Sequence, residues 1–423
     1  MSATWEPSTI GTLFEIGAGK SVTPKSRGTE PRYPFLRTAN VFWGHIDLAV
    51  VDQMHLTPSE LEEKALKPGD LLVCEGGDIG RAAIWQGGLQ VCAFQNHLHR
   101  LRPRSDEIIP EFYRYYLEAG VTMLGLLDGV GNRTTIPNLS RSRLAELEAP
   151  KPPRDEQRKI ALLLGKLQAA INVEGELIQT TRALKRSALH WFFTRGTRGE
   201  QQKQTEIGPL PESWNVVPLS SQREFLQYGT SAKCSPVVRG IPVLRIPNIV
   251  GGAIDTTDLK YAEFPEAEME KLRLANGDVL FVRTNGQRHL IGRCAVYKGS
   301  PVQSAFASYL IRARFKPNTV DSDYFQYYTE TDTGRSFLAG QANGAADGKF
   351  NLNTQAINSA LVPLPSNPAE QGEVTTRLAA IDAKLAHHES RQKLLSELFR
   401  TLLRDLMTAR LRVTDLDLTA LSS

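Results

Sequence analysis

Arginine can hydrogen-bond guanine through two donors, and asparagine or glutamine can do the same to adenine, while further Arg and Lys side chains hold phosphates. Side chains of these types gather in loop-like segments of two separate stretches of the chain. The first holds Arg37, Asn40, Arg81, Asn96, His97, Arg100, Arg102, Arg133 and Thr134. The second holds Arg245, Asn248, Arg283, Thr284, Asn285, Gln287, Arg288, Arg293, Arg312, Arg314 and Lys349. The run from Arg283 to Arg288 is the richest in donors. These types predict contact with nucleic acid rather than chemistry on a small substrate.

Other chemistries fail on spacing. Gly17, Ala18, Gly19, Lys20, Ser21 has the ending of a phosphate-binding loop, but Phe14 stands where its first glycine is needed and Pro24 interrupts the helix that should follow. Gly129 and Gly131 lack the third glycine of a dinucleotide fingerprint, because Asn132, Arg133 and Thr134 follow. The only Pro-Pro pair lies in Lys151, Pro152, Pro153, Arg154, so the tetrapeptide of an amino-methyltransferase is missing. Asp382, Ala383, Lys384 has a nuclease-like spacing inside a helical repeat, where it reads as a solvated face. His97 and His99 alternate on a strand without a third ligand nearby. No catalytic residue and no metal site are expected. Cys74, Cys92, Cys234 and Cys294 form no Cys-x-x-Cys pair and read as buried free thiols.

A chain of 423 residues with 41% hydrophobic content has enough apolar material for several cores. The formal charge of +4 places the basic residues among folded segments rather than in a polycationic tail. The opening residues, Met1 to Pro7, contain neither a basic leader nor an apolar signal stretch, and no apolar run approaches the length of a membrane span. A cytoplasmic protein is expected.

The organisation is that of a tandem repeat. Pro34, Phe35, Leu36, Arg37 matches Pro242, Val243, Leu244, Arg245 at a shift of 208 (37 to 245), and Asn40, Ile46 and Asp47 match Asn248, Ile254 and Asp255. Gly69, Asp70, Leu71, Leu72 matches Gly277, Asp278, Val279, Leu280 at the same shift. After a four-residue insertion, Gly80, Arg81, Ala82, Ala83 matches Gly292, Arg293, Cys294, Ala295. Tyr115 and Tyr116, Asn138 and Leu139, Pro150 and Pro152, then Glu156 and Gln157 recur as Tyr327 and Tyr328, Asn351 and Leu352, Pro363 and Pro365, then Glu370 and Gln371. The donor-rich run from Arg283 replaces Glu75 to Asp78 where the copies diverge most.

Each copy begins with short β-type runs, such as Asp70 to Glu75, Arg81 to Trp85 and Gln95 to Arg102, and ends in a proline-marked boundary before a helical period. The second helix carries a seam at Leu378, Ile381, Leu385, His388, Gln392, Leu395, Phe399, Leu402 and Leu406, alternating three and four. The first carries Leu164, Leu167, Ile171, Glu174, Ile178, Thr181, Lys185, Ala188 and Phe192, polar in its middle. A helix of about 40 residues spans ~60 Å and needs a partner. The other copy's helix supplies it, antiparallel and related by a pseudo-twofold axis. Leu394, Leu398 and Leu403 suit either partner contact or core. The expected fold is α+β, with strand-rich domains at 1–152 and 201–365, long helices within 153–200 and 366–412, and a tail at 413–423.

Taken together, the Pro-x-Leu-Arg segments at Pro34 and Pro242, the Gly-Asp segments at Gly69 and Gly277, the Gly-Arg segments at Gly80 and Gly292 and the two Glu-Gln junctions resemble the specificity subunits of type I restriction-modification systems. The first junction, Lys151 to Gln157, departs from the usual pattern in its apolar part. The resemblance implies two target-recognition domains reading a split site in double-stranded DNA, a coiled-coil spacer, and a non-catalytic role in DNA methylation and phage defence. It further implies two methyltransferase (modification) subunits and added restriction (motor-nuclease) subunits, which would carry S-adenosylmethionine, ATP and magnesium; this chain would hold no cofactor. A recognition subunit of another defence system would look alike. A coiled-coil scaffold that joins proteins without touching DNA is the reading from another class.

Overall fold

The computed structural model describes residues 5–128, 138–344 and 348–416. The chain forms two compact units, Met1–Gly175 with Ser390–Ser423, and Glu176–Glu389. Each unit thus combines one repeat domain with the near half of its own long helix and the far half of the other.

In the first unit four antiparallel strands lie in the order Phe14–Ala18, Leu98–Pro103, Leu71–Cys74, Ala82–Ile84. The second unit repeats this with Arg223–Tyr228, Leu310–Phe315, Val279–Val282 and Cys294–Val296. Alternation sends successive side chains to opposite faces of a sheet, so each sheet feeds two cores. Leu71, Val73, Ala82 and Ile84 join the core beneath helix Pro110–Thr122, whereas Leu72, Cys74 and Ala83 join the one on the other face. In the second unit Val279, Phe281, Cys294 and Val296 take the first role and Leu280, Val282 and Ala295 the second. A smaller sheet accompanies each: Arg32–Leu36 between antiparallel Asp52–His55 and parallel Ala93–Phe94, and Ile241–Leu244 between Lys260–Ala262 and Ala305–Phe306. Even the pairing agrees, Leu36 facing Phe94 where Leu244 faces Phe306.

The repeated motifs have structural causes. Gly69 and Gly277 turn with φ of +93° and +89°, in the left-handed region that favours glycine. The following aspartate is buried and closes the turn: Asp70 accepts from the Lys67 N–H at 2.7 Å, and Asp278 from the Ala275 N–H at 2.8 Å. Each carboxylate also takes a two-pronged guanidinium, Arg102 at 2.8 Å on both oxygens and Arg314 at 2.7 and 2.8 Å. That use of Asp70 and departure of Glu75 shorten the expected strand to Leu71–Cys74. Asn40 and Asn248 are buried and saturated. Their Oδ1 atoms accept from Arg37 N and Arg245 N, while Nδ2 donates to the carbonyls of Asp47 and Val50, or Asp255 and Asp258.

The long helices run Arg154–Arg195 and Ala369–Met407. Within the first unit Gln392 Nε2 donates to the Ile171 carbonyl and Arg391 pairs with Glu174. Within the second, Arg182 pairs with Glu389 and Lys185 with Asp382. Rising numbers meet falling ones, so the helices are antiparallel in both. Leu164, Phe399 and Leu406 enter the first unit's core, with Leu167, Ile171 and Leu402 at its margin. Leu378 enters the second unit's core, with Ile381 and Phe192 at its margin. Ile178 is buried, and Leu385 and Leu395 are half-buried. The buried face is wider than a two-position seam: Ile160, Leu163, Leu189, Phe193, Leu403 and Met407 are buried too, because each helix also packs on a repeat domain. Asp382 is no solvated face. It binds Lys185 at 2.8 Å and accepts from the Tyr327 hydroxyl at 2.9 Å. Burial disfavours the Lys185 ammonium, yet Glu330 and Asp382 outweigh that and raise its pKa.

Cys74, Cys92 and Cys294 are buried, and burial pushes the last two thiols up to about 12. Cys234 is only half-buried, against expectation, because its segment covers one edge of the small sheet without a strand beyond it. No helix among the described residues is long and apolar enough to cross a membrane.

Replacing Asn248 with alanine leaves the Arg245 N–H and the Asp255 carbonyl without their partners, while the Asp258 carbonyl keeps Arg245 Nη2, and is expected to lower unfolding free energy by about 1–3 kcal/mol. Asp278→Ala strands the buried Arg312 and frees Arg314, with an expected loss of about 3–5 kcal/mol. Denaturant unfolding of each variant measures both.

Candidate nucleic-acid interface

In each unit the loops at the end of the buried central strand carry the candidate side chains. In the second unit this strand ends at Val282, and Arg283 follows. Its N–H donates to the Tyr309 carbonyl, its carbonyl accepts from the Leu352 N–H, and Nη1 donates to the Ser308 carbonyl at 3.2 Å. The guanidinium lies over the Tyr228 ring, 4.7 Å from its centroid. Tyr228 and Tyr309 are 41% and 57% exposed, so the arginine lies over one exposed aromatic ring and is bonded through its backbone to a second exposed tyrosine. Thr284 and Asn285 form a short strand against Phe350–Asn351, and the Thr284 hydroxyl is 2.7 Å from Asn351 Oδ1. Asn285 Oδ1 accepts from the Gln287 N–H, leaving the Gln287 side chain in solvent. Lys349 is exposed beside Phe350. The segment lengthened by the four-residue insertion therefore forms, with Arg283 before it and Asn351 across the strand pair, a polar ledge of Arg283, Thr284, Asn285, Gln287 and Asn351.

Several predicted contacts have other duties. Asn40 and Asn248 are buried turn-holders and cannot reach a base edge. Arg100 and Arg312 are buried and tie down the ends of neighbouring helices, Arg100 through the Glu63 carbonyl and Arg312 through those of Lys271 and Arg273. Burial, as the largest influence, lowers the pKa of both. Arg102 and Arg314 belong to the Gly-Asp turns. Arg288 donates through Nε and Nη2 to the carbonyls of Ala339 and Gly340, completing the end of helix Asp332–Gly340. Arg37 pairs with Asp52, Arg81 with Asp78 and Arg245 with Asp258. His99 is buried with Nε2 at 2.7 Å from the Leu139 carbonyl. Among the described residues no group of three or more His, Cys, Asp and Glu could hold a metal ion.

What remains open to solvent is Asn96 and His97 in the first unit and the ledge with Arg293 in the second. Arg293 lines a cleft of about 780 Å³ with Lys185, Glu330 and Arg335. Partial burial and the Arg335 charge lower its pKa. Arg133 and Thr134 lie outside the described residues.

Sequence reasoning marked the Glu-Gln junctions of the long helices but missed what they bind. Glu156 accepts from the Trp5 indole at 3.1 Å and from two Arg412 nitrogens at 2.7 Å; Glu370 accepts from the Trp214 indole at 3.2 Å and the Thr197 N–H at 2.8 Å. A signal was present, since Trp5 and Trp214 stand 209 apart (5 to 214), in step with the repeat.

Residues 2–181 match the family described as the type I restriction modification DNA specificity domain. The chain is 28% identical over 420 residues to the putative type I restriction enzyme MjaX specificity subunit of Methanocaldococcus jannaschii, covering 97% of this chain and 94% of the relative. It is 24% identical over 394 residues to the EcoKI specificity subunit of Escherichia coli K12, covering 89% and 81%. The crystal structure of a type I system S subunit from M. genitalium shares the fold, with a TM-score of 0.60 at 17% identity over 95% of this chain and 96% of that one. With its duplicated domains, its antiparallel long helices and these matches along its length, the chain is similar to type I restriction-modification specificity subunits over nearly its whole extent.

Proposed function

We propose that the chain is the DNA-reading, non-catalytic subunit of a type I restriction-modification enzyme. Each repeat domain holds one half of a bipartite duplex target, and the pair of long helices sets the length of the unread spacer. The observation that carries this reading is one scaffold built twice, with matching registers, whose loops differ where Glu75 to Asp78 gives way to the Arg283 ledge. Shared framework with divergent loops suits reading two different sequences.

The helices also offer a surface for partners. Leu177, Leu184 and Trp191, seven residues apart, expose apolar side chains outside the seam, as do Leu394 and Leu398 on the second helix. Two methyltransferase subunits dock there in this reading and bring S-adenosylmethionine. Restriction subunits add ATP- and magnesium-dependent cleavage.

Inserting seven residues into each long helix, after Gly175 and after Glu389, preserves the heptad and adds ~10.5 Å of helix. The methylated motif is then expected to gain about three base pairs of spacer at ~3.4 Å each, with both half-sites unchanged. Long-read mapping of methylated adenines checks this, and an unchanged spacer refutes the ruler. Leu184→Asp is expected to weaken co-purification of the methyltransferase subunit at least several-fold without moving the melting temperature.

A further inference from the structure

Glu75 and Arg283 stand at one and the same backbone position. Each follows the last residue of its buried strand. The Glu75 N–H donates to the His97 carbonyl and the Arg283 N–H to the Tyr309 carbonyl, both at 3.0 Å. The Glu75 carbonyl accepts from Leu139 at 2.9 Å and the Arg283 carbonyl from Leu352 at 2.8 Å. The scaffold thus presents two side chains of opposite charge from equivalent points, beside the exposed His97 in one unit and the exposed Tyr309 in the other.

Neither charge is neutralised. Arg37, Arg81, Arg102, Arg245 and Arg314 each meet a carboxylate, but Arg283 has none within ion-pair distance among the described residues. Its one side-chain hydrogen bond goes to the Ser308 carbonyl, and its buried Nε lacks an acceptor. The contact with the Tyr228 ring and the bond to Ser308 hold the guanidinium while Nη2 stays uncommitted, so less rotamer freedom is left to lose on binding. The Glu75 carboxylate likewise has no hydrogen bond or ion pair among the described residues. Two charges without a counter-charge, at matching backbone sites in both repeats, are placed for a ligand.

Resting on the DNA-reading role proposed above, we infer that this position reads a base in each half-site with opposite hydrogen-bond sense. Arg283 donates to guanine O6 and N7 in the half-site of the second repeat. Glu75 accepts from the cytosine N4 amino group in the half-site of the first. A guanidinium can only donate and a carboxylate can only accept, so the two repeats use one position to select complementary edges of a G·C pair.

The test selects duplexes from a randomised pool with the full chain bound to its methyltransferase subunit, for wild type, Arg283→Gln and Glu75→Gln. Arg283→Gln is expected to reduce preference for guanine at one position of one half-site by roughly ten-fold or more, moving it towards adenine, with the other half-site intact. Glu75→Gln is expected to relax one cytosine position in the opposite half-site. Wild-type motifs from both variants overturn the assignment. So does loss of all binding by an Arg283→Gln variant that melts at the wild-type temperature, which marks a phosphate contact instead. If Arg283→Gln melts early, Glu75→Gln decides the matter by itself. A wild-type complex that selects no sequence at all refutes the specificity-subunit reading, and this inference with it.

Discussion

Two buried carboxylates, Glu156 and Glu370, sit in the first turns of the long helices and bind chain remote from them in sequence: Arg412 in one unit, Thr197 in the other, with a tryptophan indole on each. The next residue works in the opposite direction. Gln157 bonds Ile109 N and the Glu107 carbonyl, and Gln371 bonds Asp321 N and the Thr319 carbonyl, both in the helix's own domain. A two-residue unit therefore pins a domain, the start of one long helix and the end of the other at a single point. Because these groups are buried, leaving any of them unpaired is costly, and that cost fixes where each domain stands on its helix pair.

Much of this was legible in the sequence. A duplicated order of Pro, Gly, Asp and Asn positions survives in a string of letters because each of those residues is dictated by local backbone geometry, as at Gly69 and Gly277. The helical seam was legible for the same reason. Which arginines are committed was not. Arg100 and Arg283 are indistinguishable by type, and only the fold shows that one ties down a helix end while the other has no carboxylate. Asn40 and Asn248 misled similarly, since an asparagine that closes a turn and one that reads adenine are the same residue until burial separates them. Asp382 looked solvent-facing because helical periodicity describes one helix and is blind to the neighbouring Lys185 and Tyr327.

The arginines thus fall into a framework set and an uncommitted set. Framework arginines are neutralised within the repeat and recur at matched positions, as Arg102 and Arg314 do. Such pairing leaves the scaffold insensitive to what the loops carry, so loop charges can change sign without disturbing the cores beneath. The reversal from Glu75 to Arg283 is that freedom in use.

The completion of the first unit by residues 390–416 has a consequence for synthesis. Phe399, Leu403, Leu406 and Met407 fill the core around Leu164, and Arg412 closes on Glu156. At ribosomal rates of roughly 5–20 residues per second, on the order of ten to fifty seconds separate the emergence of these two sets of residues. Throughout that interval the earlier-made domain carries an open apolar face while the later repeat is still being translated. The domain made first is finished last, which makes the nascent chain a candidate for chaperone protection and makes loss of the final helix turns an injury to the opposite end of the sequence.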